Sequence, residues 1–340
     1  MSKLSVITLS GGTEDRGLMY GSILRERIRE TWVFYRDKVF LNSPLRTEEI
    51  RTRALSLADL VTAFNPAYTL EMDAIAEGAG VEPWQIYALN ARTEILNAPV
   101  AECTSLYFQE SMILGQTWDW LRELEELMII LKYEDVEGRN IVTLTEPGML
   151  AKVGMNDCGL GVCLNILISE HPLDGVPVHI VLRAILECGT LDEAKDVITR
   201  SGYGKSSHIL VGDASGRCHS VEFSGGQSAV VESTDGNLVH TNHCLNPDVS
   251  SKLIPSTVER LAQARAGLAG CEHFDLDTML RILLDDEQGP LAVQASYRPE
   301  EVLGGLEVGT CATVVMDLQK HEFLVSKGPG SSPEFLSIEV

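Results

Sequence analysis

The repeat pattern of apolar residues changes at residue 103, and this change limits the folds open to the chain. Before it, apolar residues recur at helical spacing: Ile23, Ile28, Trp32, Val33 and Phe40 stand among Arg and Glu between Gly17 and Phe40. Thr47-Glu48-Glu49-Ile50 reads as an N-cap followed by an acidic first turn. Pro66 suits the opening of a third helix that Gly78–Gly80 closes. A fourth begins at Glu82-Pro83-Trp84, runs to about Leu96, and is broken by Asn97-Ala98-Pro99. After Cys103 the runs are short and β-forming: Thr104–Phe108, Met112–Gln116, Leu127–Tyr133, Asn140–Leu144 and Leu160–Ile166. Helices are expected at Pro177–Glu187, Leu191–Thr199, Thr257–Ala269 and Asp277–Leu284. Further strands are expected at His208–Gly212, His219–Phe223, Gln227–Val231 and Leu238–His240, with a closing hairpin of Ala312–Leu318 and Glu322–Ser326. Glu123–Glu126 reads as a solvated turn. The class is α+β, with sheets covered by helices and a helical segment ahead of them.

Charge follows the same boundary. Residues 1–102 carry 14 acidic and 11 basic side chains, net −3; the other 35 and 16 give net −19. The whole chain stands at −22, which argues against nucleic acid and anionic membrane surfaces as partners. No apolar run is long enough to span a bilayer, and the first residues lack the pattern of a signal peptide. The eight cysteines are scattered and form no CxxC pair, so free thiols in a reducing, cytoplasmic setting are expected.

Several familiar patterns are absent. Ser201-Gly-Tyr-Gly-Lys-Ser206 fails as a phosphate loop, because Thr199 stands where its first glycine belongs. GxSxG and HExxH do not occur. His240-Thr-Asn-His243-Cys244 would support a zinc enzyme only with ligands from a second segment; otherwise it is a polar strand end. Arg92 and Glu94, two apart on a helix, do not face each other and suit a surface or interface ion pair. No cofactor and no metal is expected.

The remaining chemistry centres on Glu102-Cys-Thr-Ser105 followed by Gly115-Gln-Thr-Trp-Asp-Trp120. A hairpin would bring Asp119 within reach of Cys103, and a carboxylate between two tryptophans needs a partner. Alone, Cys103 reads as a buried structural thiol more often than as a nucleophile. With Gly154-Met-Asn-Asp-Cys-Gly-Leu-Gly-Val-Cys-Leu-Asn165, Pro177-Val-His179, His240-Thr-Asn-His243 and Thr310-Cys-Ala-Thr-Val-Val-Met-Asp-Leu318, the chain resembles the isopenicillin-N acyltransferase family of cysteine N-terminal-nucleophile enzymes, peptidase family C45. More distantly it resembles bile-salt hydrolases and penicillin V acylases.

The resemblance covers nearly the whole chain and implies a four-layer αββα fold with two stacked antiparallel sheets. It implies cleavage between Glu102 and Cys103 into a helical pro-segment, 1–102, and a β-chain, 103–340, that stay together as a heterodimer. Cys103 would be the nucleophile, Asp119 would hold its amine, Asn242 would donate to the oxyanion, and Asn165 would be a second donor or a substrate contact. Gln116 stands where bile-salt hydrolases carry an arginine, and Glu102 where this family commonly has glycine. The implied activity is hydrolysis or transfer of the acyl group of a small N-acyl substrate, with an amine or acyl-CoA as possible partner. The competing reading is an uncleaved, non-catalytic binding protein on the same fold.

Overall fold

The computed structural model describes residues 4–40, 43, 45–96, 102–171, 173–330 and 333–340; Asn97-Ala98-Pro99 lies outside them. The chain opens with strand β1 (Ser5–Leu9), then helices α1 (Thr13–Ile23), α2 (Arg25–Phe34), α3 (Thr47–Phe64), α4 (Pro66–Ala79), α5 (Pro83–Asn90) and α6 (Arg92–Leu96). Next come β2 (Glu102–Phe108), β3 (Ile113–Leu121), α7 (Leu124–Leu127), β4 (Ile129–Glu134), β5 (Asn140–Thr145), β6 (Val153–Asn156) and β7 (Leu160–Ile166). Helices α8 (Val178–Leu186) and α9 (Leu191–Arg200) follow, then β8 (Ser207–Asp213), β9 (Cys218–Ser224), β10 (Gln227–Val230) and β11 (Asn237–His240). The last elements are α10 (Pro255–Leu268), α11 (Leu276–Leu283), β12 (Arg298–Glu300), β13 (Leu306–Asp317), β14 (Glu322–Lys327) and β15 (Leu336–Glu339).

Two sheets form the core. One runs β1-β4-β5-β6-β7-β8-β9-β10; the other runs β11-β2-β3-β13-β14-β15, with β12 added on β13. They face each other through β7 against β2 and β3. Helices α8 and α9 cover the outer face of the first sheet, and α10 and α11 that of the second. This is the four-layer αββα arrangement. It departs from two antiparallel sheets in one place: β1 joins β4 in parallel, Ser5 opposite Ile129 and Leu9 opposite Tyr133. The N-terminal segment is therefore not only helical. It supplies an edge strand, and β1 is hard to read because only one of its five residues is buried.

The N-terminal segment is tied to the rest through buried charge. Glu71 of α4 receives bidentate bonds from Arg16 of α1 (3.0 and 2.8 Å) and from Arg183 of α8 (3.3 and 2.8 Å). Buried ions need such pairing, and two guanidiniums hold the Glu71 carboxyl below its usual range despite burial. Glu94 accepts the backbone N–H of Val178 at 2.8 Å, satisfying one free amide of the first turn of α8. Arg92 and Glu94 are thus buried rather than surface residues. The expected turn at 123–126 is the start of α7, with Leu124 buried. Arg46, not Thr47, is the N-cap of α3.

Helices α1 and α4 cross so closely that only glycine fits at the contact. A Cβ at Gly21 would lie 2.2 Å from the Ile75 carbonyl oxygen, and one at Gly78 2.5 Å from that of Leu18. Both obstacles are backbone, which cannot rotate away. Gly21→Ala should therefore lose about 1–3 kcal/mol of stability in chemical denaturation, although alanine is the better helix former. No loss would show that the two helices separate freely.

Candidate active site

Residues on β2 and β3 alternate between two environments. Cys103, Ser105 and Tyr107 pair with Trp118, Gln116 and Leu114, and these face the other sheet. Glu102 and Thr104 pair with Asp119 and Thr117 on the opposite face, beneath α10. The backbone of Cys103 thus lies between two distinct sets of side chains.

That backbone is held on both sides. Its N–H donates to Asn242 Oδ1 at 2.8 Å. Its carbonyl accepts from Asn165 Nδ2 at 3.0 Å and from Arg260 Nη1 at 2.7 Å. Asn242 follows β11; its own N–H donates to Thr257 Oγ1, and its Nδ2 donates to the Ile166 carbonyl. Asn165 sits on β7, and its Oδ1 accepts from Ser105 at 2.7 Å and lies 2.8 Å from His208 Nδ1. Arg260 is fully buried and also donates to Thr104 Oγ1 and Asn242 Oδ1, both at 2.9 Å. The four residues the sequence singled out are brought around one peptide unit, although Asp119 and the Cys103 side chain lie on opposite faces.

On the α10 face two carboxylates stand directly opposite each other, Glu102 and Asp119. Like charges so placed repel. Glu102 is compensated: Ser256 Oγ donates to it at 2.9 Å, Arg298 Nη2 at 2.9 Å, and Arg260 Nη2 lies at 3.3 Å. Asp119 is not. Thr310 donates to its Oδ1 at 2.7 Å, while Oδ2 is buried without a hydrogen-bond partner among the described residues. Burial pushes its carboxyl up to about 7, against the pull of Arg260.

On the inter-sheet face the thiol of Cys103 is buried, and burial followed by the Asp119 charge pushes it up to about 12. Beside it lies Lys152, between β5 and β6. Its Nζ sits 3.1 Å from the centroid of Trp118, the cross-strand neighbour of Cys103. It is also 3.1 Å from Glu146 Oε1. Glu146 already has Arg92 Nη2 on the same oxygen at 2.7 Å and Tyr35 Oη on the other at 2.6 Å. Burial raises the Glu146 carboxyl, but Arg92 and Lys152 overcome this and hold it at about 2. One carboxylate thus faces two cations. Lys152 is the surplus one: burial and Arg92 bring its ammonium down to about 7 in spite of Glu146.

Sequence reasoning missed Lys152, Arg260, Glu146 and Arg298. Lys152 does leave a trace, as a lone charge inside Met149–Met155. Gln116, at the position of the bile-salt hydrolase arginine, is structural here: it donates to the Leu164 carbonyl and accepts from the Leu164 N–H. His240 meets Glu222 at 2.6 Å and stacks on His208, while His243 lies 3.0 Å from Thr257 Oγ1. Among the described residues no group of His, Cys, Asp or Glu is placed to hold a metal, and no helix is long and apolar enough to cross a membrane.

The sequence profile of a family described as acyl-coenzyme A:6-aminopenicillanic acid acyl-transferase matches residues 108–323. The chain is 27% identical over 341 residues to the acyl-coenzyme A:6-aminopenicillanic-acid-acyltransferase 40 kDa form of Emericella nidulans, covering 96% of this chain and 94% of that one. Among solved structures, a mutant of the conjugated bile acid hydrolase of Clostridium perfringens overlays with TM-score 0.48 at 15% identity, over 71% of this chain and 92% of that one. Penicillin V acylase of Agrobacterium tumefaciens gives 0.41 at 12%, over 70% and 86%.

Chemical denaturation separates the paired carboxylate from the surplus cation. Glu146→Gln leaves Arg92 and Lys152 buried without their anion and should cost about 3–5 kcal/mol. Lys152→Met, which removes the surplus charge, should cost under about 1 kcal/mol. Equal losses for the two variants would show that Lys152 is not surplus.

Proposed function

The chain belongs to the acyl-coenzyme A:6-aminopenicillanic acid acyl-transferase family, and on that premise we propose that it cuts itself between Glu102 and Cys103 and then works through Cys103 as an N-terminal nucleophile. As an acyltransferase or acylase it takes the acyl group of a small N-acyl substrate and passes it to water or to an amine, with acyl-CoA as a second source of acyl groups. The observation that carries this reading is the grip on the Cys103 peptide unit by Asn242, Asn165 and Arg260. An ordinary buried cysteine has no need of it.

In the intact chain the thiol keeps its proton, so the first step needs a base. Lys152, lying against Trp118 on the thiol's own face and held near 7, suits that role. The thiol proton passes to its amine, and sulfur attacks the Glu102 carbonyl carbon. A C–S bond forms, the C–N bond breaks, and the Cys103 nitrogen takes up a proton to become an amine. Water then cleaves the thioester, giving a Glu102 carboxylate and a free Cys103 thiol. The new α-amine, with an ordinary pKa near 7.7–8.0, serves as base in later cycles. Asp119 holds that amine; its buried Oδ2, without a hydrogen-bond partner among the described residues, is the group in want of a cation. Asn242 donates to the oxyanion, and Asn165 is the second donor or a substrate contact. Fixed donors of this kind are each worth about 3–4 kcal/mol.

Residues 1–102 and 103–340 form the two chains of a heterodimer. The β1–β4 pairing and the buried Arg16–Glu71–Arg183 and Arg92–Glu146 ion pairs give them reason to stay together.

Intact-mass spectrometry tests the cut. Wild type should give pieces of about 11 and 26 kDa, which is 37.2 kDa scaled by 102 and 238 residues of 340, while Cys103→Ala should stay whole. An intact wild type, or a cleaved mutant, would sink the proposal and leave an uncleaved binding protein as the reading.

The rate of cutting carries a second test. It should rise as pH increases through about 7, where Lys152 loses its proton, and Lys152→Met should slow it at least about 100-fold. A rate indifferent to both would remove Lys152 from the mechanism.

A further inference from the structure

The Glu102 side chain, on the α10 face, is enclosed by Ser256, Arg260 and Arg298 at 2.9, 3.3 and 2.9 Å. Arg260 is fully buried; Arg298 is partly exposed and also pairs with Glu300 at 2.8 Å. A carboxylate with two guanidiniums and a hydroxyl is a built anion site, and its present occupant belongs to the chain itself.

Self-cutting and substrate turnover place an acyl carbon on the same sulfur. In the first event that carbon is the Glu102 carbonyl, and its acyl chain runs through Cα, Cβ and Cγ to a carboxylate. Resting on the self-cutting reading above, we infer that the Ser256–Arg260–Arg298 pocket is the acyl pocket of the mature enzyme. It selects five-carbon acyl groups that end in a carboxylate, that is, glutaryl or α-glutamyl amides. Glu102 is then a built-in first substrate.

Charge supports this choice over a neutral acyl group. Once the Glu102 side chain leaves, Arg298 keeps its pair with Glu300, but buried Arg260 loses its carboxylate partner. Among the described residues, Arg260 then keeps neutral hydrogen-bond partners: the Cys103 carbonyl, Thr104 and Asn242. Asp119, opposite Glu102, bonds Thr310 through Oδ1 and makes no ion pair with Arg260 among the described residues. A pentanoyl chain would fill the volume but leave a buried guanidinium unpaired, whereas a glutaryl chain returns the carboxylate to the same donors. In the glutaryl reaction the Cys103 sulfur bonds to the acyl carbon, the amide C–N bond breaks, and the amine leaves with the thiol proton. Water then releases glutarate and restores the thiol.

The test compares glutaryl p-nitroanilide with pentanoyl p-nitroanilide, equal in acyl length and differing in the distal charge. Both are given to wild type whose cleavage has first been confirmed by intact mass. The glutaryl compound should be preferred at least tenfold in kcat/KM, a factor that about one charge-assisted hydrogen bond supplies. Arg298→Gln, cleaved to the same extent, should reduce that preference to about threefold or less. Cleaved enzyme that turns over the pentanoyl compound as well, that leaves the glutaryl compound untouched, or that keeps its full preference in Arg298→Gln overturns the inference while self-cutting stands. A wild type that never cuts overturns both.

Discussion

One guanidinium organises the centre of this molecule. Arg260, a fully buried residue of α10, reaches the Cys103 carbonyl, the Thr104 hydroxyl, the Asn242 side chain and the Glu102 carboxylate. A cation so far from water is tolerated only when it is paired and hydrogen-bonded, and here both terminal nitrogens are engaged around one peptide bond, while Nε has no hydrogen-bond partner among the described residues. Arg260 therefore fixes the end of β2 relative to α10 and to Asn242 beyond β11. The close fit of β2, β3 and β11 follows from that anchor as much as from their apolar faces.

The two faces of β2 divide the chemistry. Toward the other sheet lie the thiol, Trp118 and Lys152, with Glu146 and Arg92 behind. Toward α10 lie the carboxylates Glu102 and Asp119, with Arg260 and Arg298. Each side has its own balance. On the first, one carboxylate faces two cations, and the lysine is driven toward neutrality. On the second, Arg260 and Arg298 are bonded to Glu102, and Arg298 also to Glu300; the carboxylate without direct bonds to them, Asp119, is driven toward protonation. Groups displaced in this way sit poised near neutral pH, as acid–base chemistry requires.

Much of this architecture is legible in the chain. Periodicity locates β7, α8 and α9 to within a residue or two, because each buries a regular stripe or face; it finds the β13–β14 hairpin but starts β13 six residues late, at Ala312 instead of Leu306, and does not foresee β15 beyond it. It misses β1, whose burial is slight, and β6, four residues long with a glycine at its second position. The motif residues Cys103, Asp119, Asn165 and Asn242 are marked by the family resemblance of the motifs that hold them. Arg260 and Lys152 are not, since their significance comes from a residue 157 and 49 positions away in sequence, and no local pattern encodes such distance. Arg92 reads as a member of a surface or interface ion pair, but its buried partner, Glu146, lies 54 residues downstream and no local pattern names it.

The hold on Cys103 also has a direction in time. Asn165, Asn242 and Arg260 all lie downstream of it, the last by 157 residues. At synthesis rates of about 5–20 residues per second, the peptide unit waits roughly 8–30 s on the ribosome before the complete set has been made. Helices α1 to α6 have that interval to pack among themselves, and β1 must wait for β4. The grip on Cys103 thus closes only when most of the molecule exists, which makes the end of translation a clock for whatever chemistry happens there.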